Sequence, residues 1–197
     1  MDPFLAKLVF VFGYVIANFV IRAPHIKAHH KLPVRANRNT RLDTSLFLAV
    51  SVGGFLIPLL YVFTPLFSFA DYSLPRWIGA TGVGVLVLGD WAFWKSHKDL
   101  GGNWSPTLQI RQSHKLVTQG IYQRIRHPMY LSIWLLVISQ AMILPNYVAG
   151  FGGVLSFGIL YFQRVAKEER MMSEEFGAEY EEYLEKTGRL FPKFRSG

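Results

Sequence analysis

YLSIWLLVISQAMILPNYVAGFGGVLSFGILYF, residues 130–162, holds two apolar runs, 130–144 and 147–162, parted only by Pro145 and Asn146. Proline cannot donate a backbone hydrogen bond and asparagine bonds its own neighbouring backbone, so the pair is strong turn chemistry. The stretch reads as a tight helical hairpin. Each arm falls short of the roughly 20 residues that cross a bilayer upright, which suggests re-entrant or tilted helices, or helices continuing past the bilayer edge.

Upstream of the hairpin lie three further apolar stretches. The first, 4–21, is broken only by Lys7 and Asn18. It lacks the basic front and small-residue cleavage site of a signal peptide, and Lys7 can snorkel, so it reads as a span. The second, 46–69, contains Pro58 and Pro65, which predict a kink where the backbone loses its donors. The third is 77–94. Between them run a basic loop carrying Arg22, Lys27, Lys31, Arg35, Arg38 and Arg41, and a short connection near Asp71 that is poor in positive charge. Residues 95–130 are polar, and the tail from Arg164 is charged, with Met171, Phe176, Tyr180, Tyr183 and Leu184 at helical spacing.

Composition agrees with this pattern. An apolar share of 51% with only 17% charged residues, at a mean hydropathy of +0.22, excludes an ordinary soluble domain. The 197 residues suit one helical bundle and leave no room for a separate cofactor domain. The predicted class is an all-α integral membrane protein of about five transmembrane helices. Its parts are three spans over 1–94, a cofactor-binding segment over 95–130, the hairpin over 130–163 and a helical tail over 164–197. The net charge of +8 falls in loops between apolar stretches, so it reads as orientation and not as nucleic-acid binding. On the positive-inside rule the basic loop, residues 95–130 and the tail are cytoplasmic, with the amino terminus outside and the carboxyl terminus inside. With no cysteine, thiolate chemistry, disulfides and cysteine-held metals are excluded.

Several candidate sites can be weighed on residue chemistry. Gly82, Gly84 and Gly89 lack the strand and spacing of a dinucleotide loop and read as small-residue helix packing. His25, His29 and His30 lie in a basic loop without nearby carboxylates and read as solvated, so no metal is predicted. Asp90 is costly near a span's end unless paired, hydrated or facing a cavity. Arg126-His127-Pro128 is more informative: proline disfavours helical geometry at His127 and suits the first helical position itself, which puts His127 at a helix mouth. Such a mouth offers free backbone donors to an anion, and Tyr122 and Tyr130 add hydroxyls and aromatic faces that attract a cation. Arg164 and Glu168, four residues apart, share one helix face. Glu169, Glu174 and Glu175 read as solvated.

The run His114-Lys115-Leu116-Val117, then Gly120, Tyr122 and Arg126-His127-Pro128-Met129-Tyr130, followed by Arg164, Glu168, Phe176-Gly177, Tyr180 and Tyr183, resembles the isoprenylcysteine carboxyl methyltransferases and the related phospholipid methyltransferases. The resemblance covers roughly residues 98–192. It implies S-adenosylmethionine as methyl donor, yielding S-adenosylhomocysteine, in a cytoplasmic pocket formed by the 95–130 segment and the C-terminal helix. Gln109, His114, Lys115, Leu116, Val117, Tyr122, His127, Pro128, Met129, Tyr130 and Glu168 are the implied cofactor contacts and Arg164 the implied substrate contact. Lys115 and Met129, which stand where relatives carry Ser or Thr, are expected to contribute backbone.

A sulfonium donor is already activated, and a carboxylate acceptor is ionised at neutral pH, so the lack of an obvious acid–base pair fits carboxyl methylation. The expected partner is a lipophilic acceptor such as a prenylated cysteine, met within membrane lipid. The expected location is a prokaryotic cell membrane, with the site on the cytoplasmic side. Phospholipid, amine or thiol methylation on the same fold, and an NADPH-dependent membrane sterol or lipid reductase, are the competing readings. A scaffold or transporter is a weaker third, since no internal repeat is visible.

Overall fold

The structure is a computed structural model that describes residues 1–29, 34–37, 39–104, 109–111 and 115–193, with 27–29, 34–37 and 109–111 described by backbone alone. In chain order the elements begin with α1 (Pro3–Val9), a π-helical segment (Phe10–Ile16) and α2 (Ala17–His29), one continuous helix opened by Asp2, whose carboxylate accepts from the Phe4 and Leu5 amides. Strand β1 (Val34–Asn37) follows, then α3 (Arg41–Ser51), a second π-helical segment (Val52–Leu56) and α4 (Ile57–Phe63). A capping box between Thr40 and Asp43 starts α3. Next come α5 (Arg76–Leu100), strand β2 (Gln109–Arg111), α6 (Pro128–Ile143), α7 (Tyr147–Phe176) and α8 (Ala178–Lys186).

Among the described residues four helical stretches are long and apolar enough to cross a membrane: Pro3–Ile26, Arg41–Phe63, Arg76–Asn103 and Tyr147–Phe176. The expected fifth, α6, is apolar but has 16 residues, about 24 Å of rise. It nevertheless runs the length of the bundle, from Met129 beside Trp104 at one end to Ala141, whose carbonyl accepts from the Tyr72 hydroxyl, at the other. Two expected bounds need correction. The second span ends at Phe63, so Pro65 lies outside the helix and only Pro58 sits within it, just after the π-helical turn that accommodates it. The third continues past Trp94 to Leu100. The last arm of the hairpin continues to Phe176, beyond the bilayer edge as one of the alternatives allowed, and the tail is its extension plus α8 after a bend at Gly177.

α6 packs between α5 and α7, and α7 packs in turn on the second span. Glycines set two of these approaches. A side chain at Gly82 or Gly89 of α5 would run into Met142 or Leu136 of α6, whereas Gly84 faces open space. A Cβ on Gly53 would lie 2.4 Å from the Gly152 carbonyl, so the second span touches α7 backbone to backbone. Gln140, fully buried, ties this contact by donating to the Gly53 and Ala149 carbonyls at 3.1 and 2.7 Å. Phe10, Leu86, Phe93, Leu136 and Ile143 form the core, while Phe12, Leu155 and Phe162 face outward.

The loops sort onto two ends, as their charges predicted. At one end the Pro145-Asn146 turn meets the Asp71 loop: Asn146 caps α7 by accepting from the Val148 and Ala149 amides and donates to Asp71 at 2.8 Å and to the Phe67 carbonyl at 2.6 Å. At the other end the three basic segments converge. β1 pairs antiparallel with β2, and Ile125 bridges Gly188 in the tail.

Candidate active site

The polar end is assembled from local devices that the sequence carries. Pro128 is the first residue of α6, and His127 before it holds φ −123° and ψ 58°, outside helical geometry. A short turn over Gly120–Gln123 precedes it, with Gly120 at φ +63°. Asp99, at the end of α5, accepts from the Ile121 amide at 2.8 Å and from Lys95 at 2.5 Å, and a Cβ on Gly120 would fall 2.1 Å from its carboxylate. Only glycine fits both the backbone and the space. The tail then closes over this turn: Tyr183, its ring 6.0 Å from that of Tyr180, donates to the Tyr122 carbonyl at 2.6 Å. Burial pushes the Tyr183 phenol up to about 12, which keeps it a donor at neutral pH.

Between these segments and the bundle lies one hollow of about 1580 Å³, its open mouth included. Its polar end is lined by Lys115, Leu116, Val117, Tyr122, His127, Met129, Tyr130 and Glu168. Its deep end runs into the bundle between Phe47, Phe55, Leu136, Val137 and Phe157. Arg164 lies at the junction of the two, 4% exposed, its guanidinium 4.7 Å from the centre of the Phe47 ring. Glu168 lies one turn further along α7 and accepts from the Tyr130 hydroxyl at 2.5 Å. Tyr130 also sits beside the Arg164 guanidinium, and its ring stacks on that of His127 at 5.3 Å. Thus a carboxylate with acceptor capacity to spare, several aromatic faces and a buried guanidinium share one enclosure. This donor set fits a cationic ligand carrying hydroxyls alongside an anionic one.

The structure brings together Lys115, Leu116, Val117, Tyr122, His127, Met129, Tyr130, Arg164 and Glu168. Pro128 is buried and starts the helix that carries two of them, Met129 and Tyr130. Lys115 is exposed, and its amide donates to the Asn103 side chain at 2.9 Å, so its backbone is the part held in place. Of the remaining candidates, Gln109 is described only as the first residue of β2, and His114, like His30, lies outside the described residues. Asp90 lines a separate apolar groove with Leu8, Phe12 and Val87, and accepts from Asn18 at 3.3 Å. Its partner is therefore a neighbouring helix. His25 is drawn inward, its ring 4.9 Å from that of His97, and not solvated as expected, because α2 extends helically through what reads as loop.

Glu169 was expected in solvent and is instead the hub of this end. It accepts from Arg126 at 3.3 Å, from His127 Nε2 at 3.3 Å and from Arg189. Arg126 also donates to the Thr187 and Leu184 carbonyls, and the Arg126 and His127 amides donate to the Gly188 and Arg189 carbonyls at 2.8 and 3.0 Å. One carboxylate thus joins α7, the helix mouth at His127 and the tail. The position of Glu169 beside Glu168 gave a signal only of charge; its partners are 20 to 43 residues away in sequence.

Comparison with known proteins converges on one family. The profile of the isoprenylcysteine carboxyl methyltransferase (ICMT) family matches residues 82–174. The protein-S-isoprenylcysteine O-methyltransferase B of Arabidopsis thaliana is 26% identical over 134 residues, which cover 67% of this chain and 68% of that protein. The Schizosaccharomyces pombe protein-S-isoprenylcysteine O-methyltransferase is 30% identical over 57% of this chain and 48% of its own length. For the Homo sapiens enzyme of that name the figures are 28%, 74% and 57%. The chain therefore spans about half the length of some of these relatives. A solved structure of the eukaryotic intramembrane Ras methyltransferase ICMT superposes with a TM-score of 0.55 at 23% identity, over 95% of this chain and 74% of that one, and so shares its fold.

Proposed function

We propose that the chain is a member of the isoprenylcysteine carboxyl methyltransferase family, to which it is similar over residues 82–174, and that it is an S-adenosylmethionine-dependent methyltransferase acting on the carboxylate of a lipophilic acceptor, a prenylated cysteine or an analogue. The observation that carries this reading is the single hollow in which Glu168, Tyr130 and Arg164 stand between a polar mouth and an apolar depth.

Each wall then has a task. Tyr122, His127, Met129, Tyr130 and the backbone at 115–117 hold the donor, with Gln109 and His114 as the further contacts the family resemblance implies; the donor supplies an activated methyl group on a sulfonium. Glu168 has acceptor capacity beyond its bond from Tyr130 and takes hydroxyl donors. Arg164 receives the acceptor carboxylate through paired N–H bonds, and Phe47 keeps the guanidinium plane fixed. The carboxylate is ionised at neutral pH, so alignment and exclusion of water suffice and no general base is needed. Phe55, Leu136, Val137 and Phe157 offer the lipid tail an apolar berth. The polar end is cytoplasmic in this reading, so the soluble donor enters from water and the acceptor from the bilayer through a gap between helices.

Calorimetry with S-adenosylhomocysteine tests the donor half. Wild type is expected to bind, and Glu168→Ala to lose at least tenfold in affinity, about 1.4 kcal/mol. Equal affinity in the two proteins contradicts the role of Glu168. Arg164→Ala is expected to keep that affinity and lose acceptor turnover by 10²-fold or more, as when a charge-assisted contact to a reacting group is removed. Equal loss of both would move Arg164 to the donor's wall.

A further inference from the structure

Arg22, in α2, is a second guanidinium on the wall of the hollow, and it lies outside residues 82–174. Its guanidinium carbon sits 5.5 Å from the centre of the Phe93 ring and 5.7 Å from that of Trp104. Its Nε is buried without a hydrogen-bond partner, and among the described residues no carboxylate lies within ion-pair distance of it. An arginine cannot shed its charge, so a half-buried one without an anion is costly. Two aromatic faces offset part of that cost and hold the guanidinium in one plane.

The neighbours of Arg22 place it at the donor half of the hollow. Trp104, against which it rests, directs its indole N–H to the Met129 sulfur at 3.3 Å. Asn103, the next residue, holds the Lys115 amide. Arg164 stands on another helix, α7, with Phe47 of the second span. The hollow therefore presents two separately held cations, and the methyl transfer proposed above brings two carboxylates, one on the donor's amino-acid portion and one on the acceptor.

We propose that Arg22 is a carboxylate-binding residue of the hollow, complementary to Arg164 and matched to the donor's amino-acid carboxylate. The proposal rests on the methyltransferase reading. The acceptor is the other source of a carboxylate, and the two sources give different results.

The test is calorimetry of wild type, Arg22→Gln and Arg22→Lys with S-adenosylhomocysteine and with 5′-methylthioadenosine, which lacks the amino-acid portion, together with acceptor kinetics and a thermal melt of each protein. Arg22→Gln is expected to bind S-adenosylhomocysteine at least tenfold more weakly while 5′-methylthioadenosine is unchanged, with Arg22→Lys in between. Unchanged S-adenosylhomocysteine affinity with a tenfold higher KM for the acceptor also supports a carboxylate site and assigns it to the acceptor. Unchanged affinity and unchanged KM overturn the proposal, as does equal weakening of both adenosyl ligands, which marks a purely structural role. Should Arg22→Gln fail to fold, Arg22→Lys decides on the same readouts. A wild type that binds no S-adenosylhomocysteine overturns the donor reading along with this one; a wild type that binds it while the variants behave identically overturns this one alone.

Discussion

Glu169 shows how much one side chain carries at the residue scale. Its carboxylate serves Arg126, His127 and Arg189, while the adjacent Glu168 turns into the hollow. The three partners, with other charges nearby, hold the Glu169 end of the bundle together; truncating it leaves Arg126 partly buried and short of its anion. Glu169→Ala is expected to cost on the order of 2–3 kcal/mol, below the full cost of breaking a buried pair because water reaches the site. A melt in detergent measures this, and an unchanged Tm would remove Glu169 from the role of hub. Arg189→Ala, at a side chain 47% exposed, should cost less than 1 kcal/mol in the same assay. The contrast between these neighbours explains what the sequence hid. Arg164 and Glu168 were legible because four-residue spacing fixes a shared face, and His127 because proline constrains the residue before it. Glu169 was not, since its three partners come from two segments that meet only after folding. Arg22 was hidden likewise: it reads as one more basic loop residue until α2 continues through it.

At the element scale, turn and cap chemistry was the clearest signal. Pro145-Asn146 predicted the hairpin, and Asn146 is the cap of α7 while also tethering the Asp71 loop. Span ends were harder to see, because apolar residues persist past Phe63 and polar ones begin before Phe176, so hydropathy misplaces helices that overrun or underrun the bilayer. The contact between the second span and α7 depends on bare backbone. Gly53→Val is expected to force the helices apart and cost about 1–3 kcal/mol, read as a lower Tm, and a variant as stable as wild type would show that the approach is slack. Gly120→Ala should be at least as damaging locally, since it strains a positive φ and collides with Asp99. The expected result is weaker S-adenosylhomocysteine binding with little change in Tm, because the turn carries the Tyr122 wall and not the core.

For the whole molecule, two ends of opposite character follow from where lysines and arginines sit. The sequence predicted which loops would share an end, and the contacts of Asn146 with Asp71 and of Ile125 with Gly188 are those pairings. Assigning the basic end to the cytoplasm is open to a clean test, because the chain has no cysteine of its own. Ser73→Cys should react with a membrane-impermeant maleimide in intact cells, and Lys186→Cys only after lysis; the reverse pattern would invert the topology. The hollow itself could not be read from sequence, since its lining comes from the four candidate spans, α6 and the tail, and only the polar mouth carries residue types that announce chemistry. In the proposed function that hollow joins a donor site to an acceptor site around Arg164. The most direct measurement is transfer of a radiolabelled methyl group from S-adenosylmethionine to a farnesylated cysteine derivative, followed by mild base. The expected result is label released as methanol, with Arg164→Ala inactive. Label that resists base, or no transfer by folded protein that binds S-adenosylhomocysteine, would contradict carboxyl methylation.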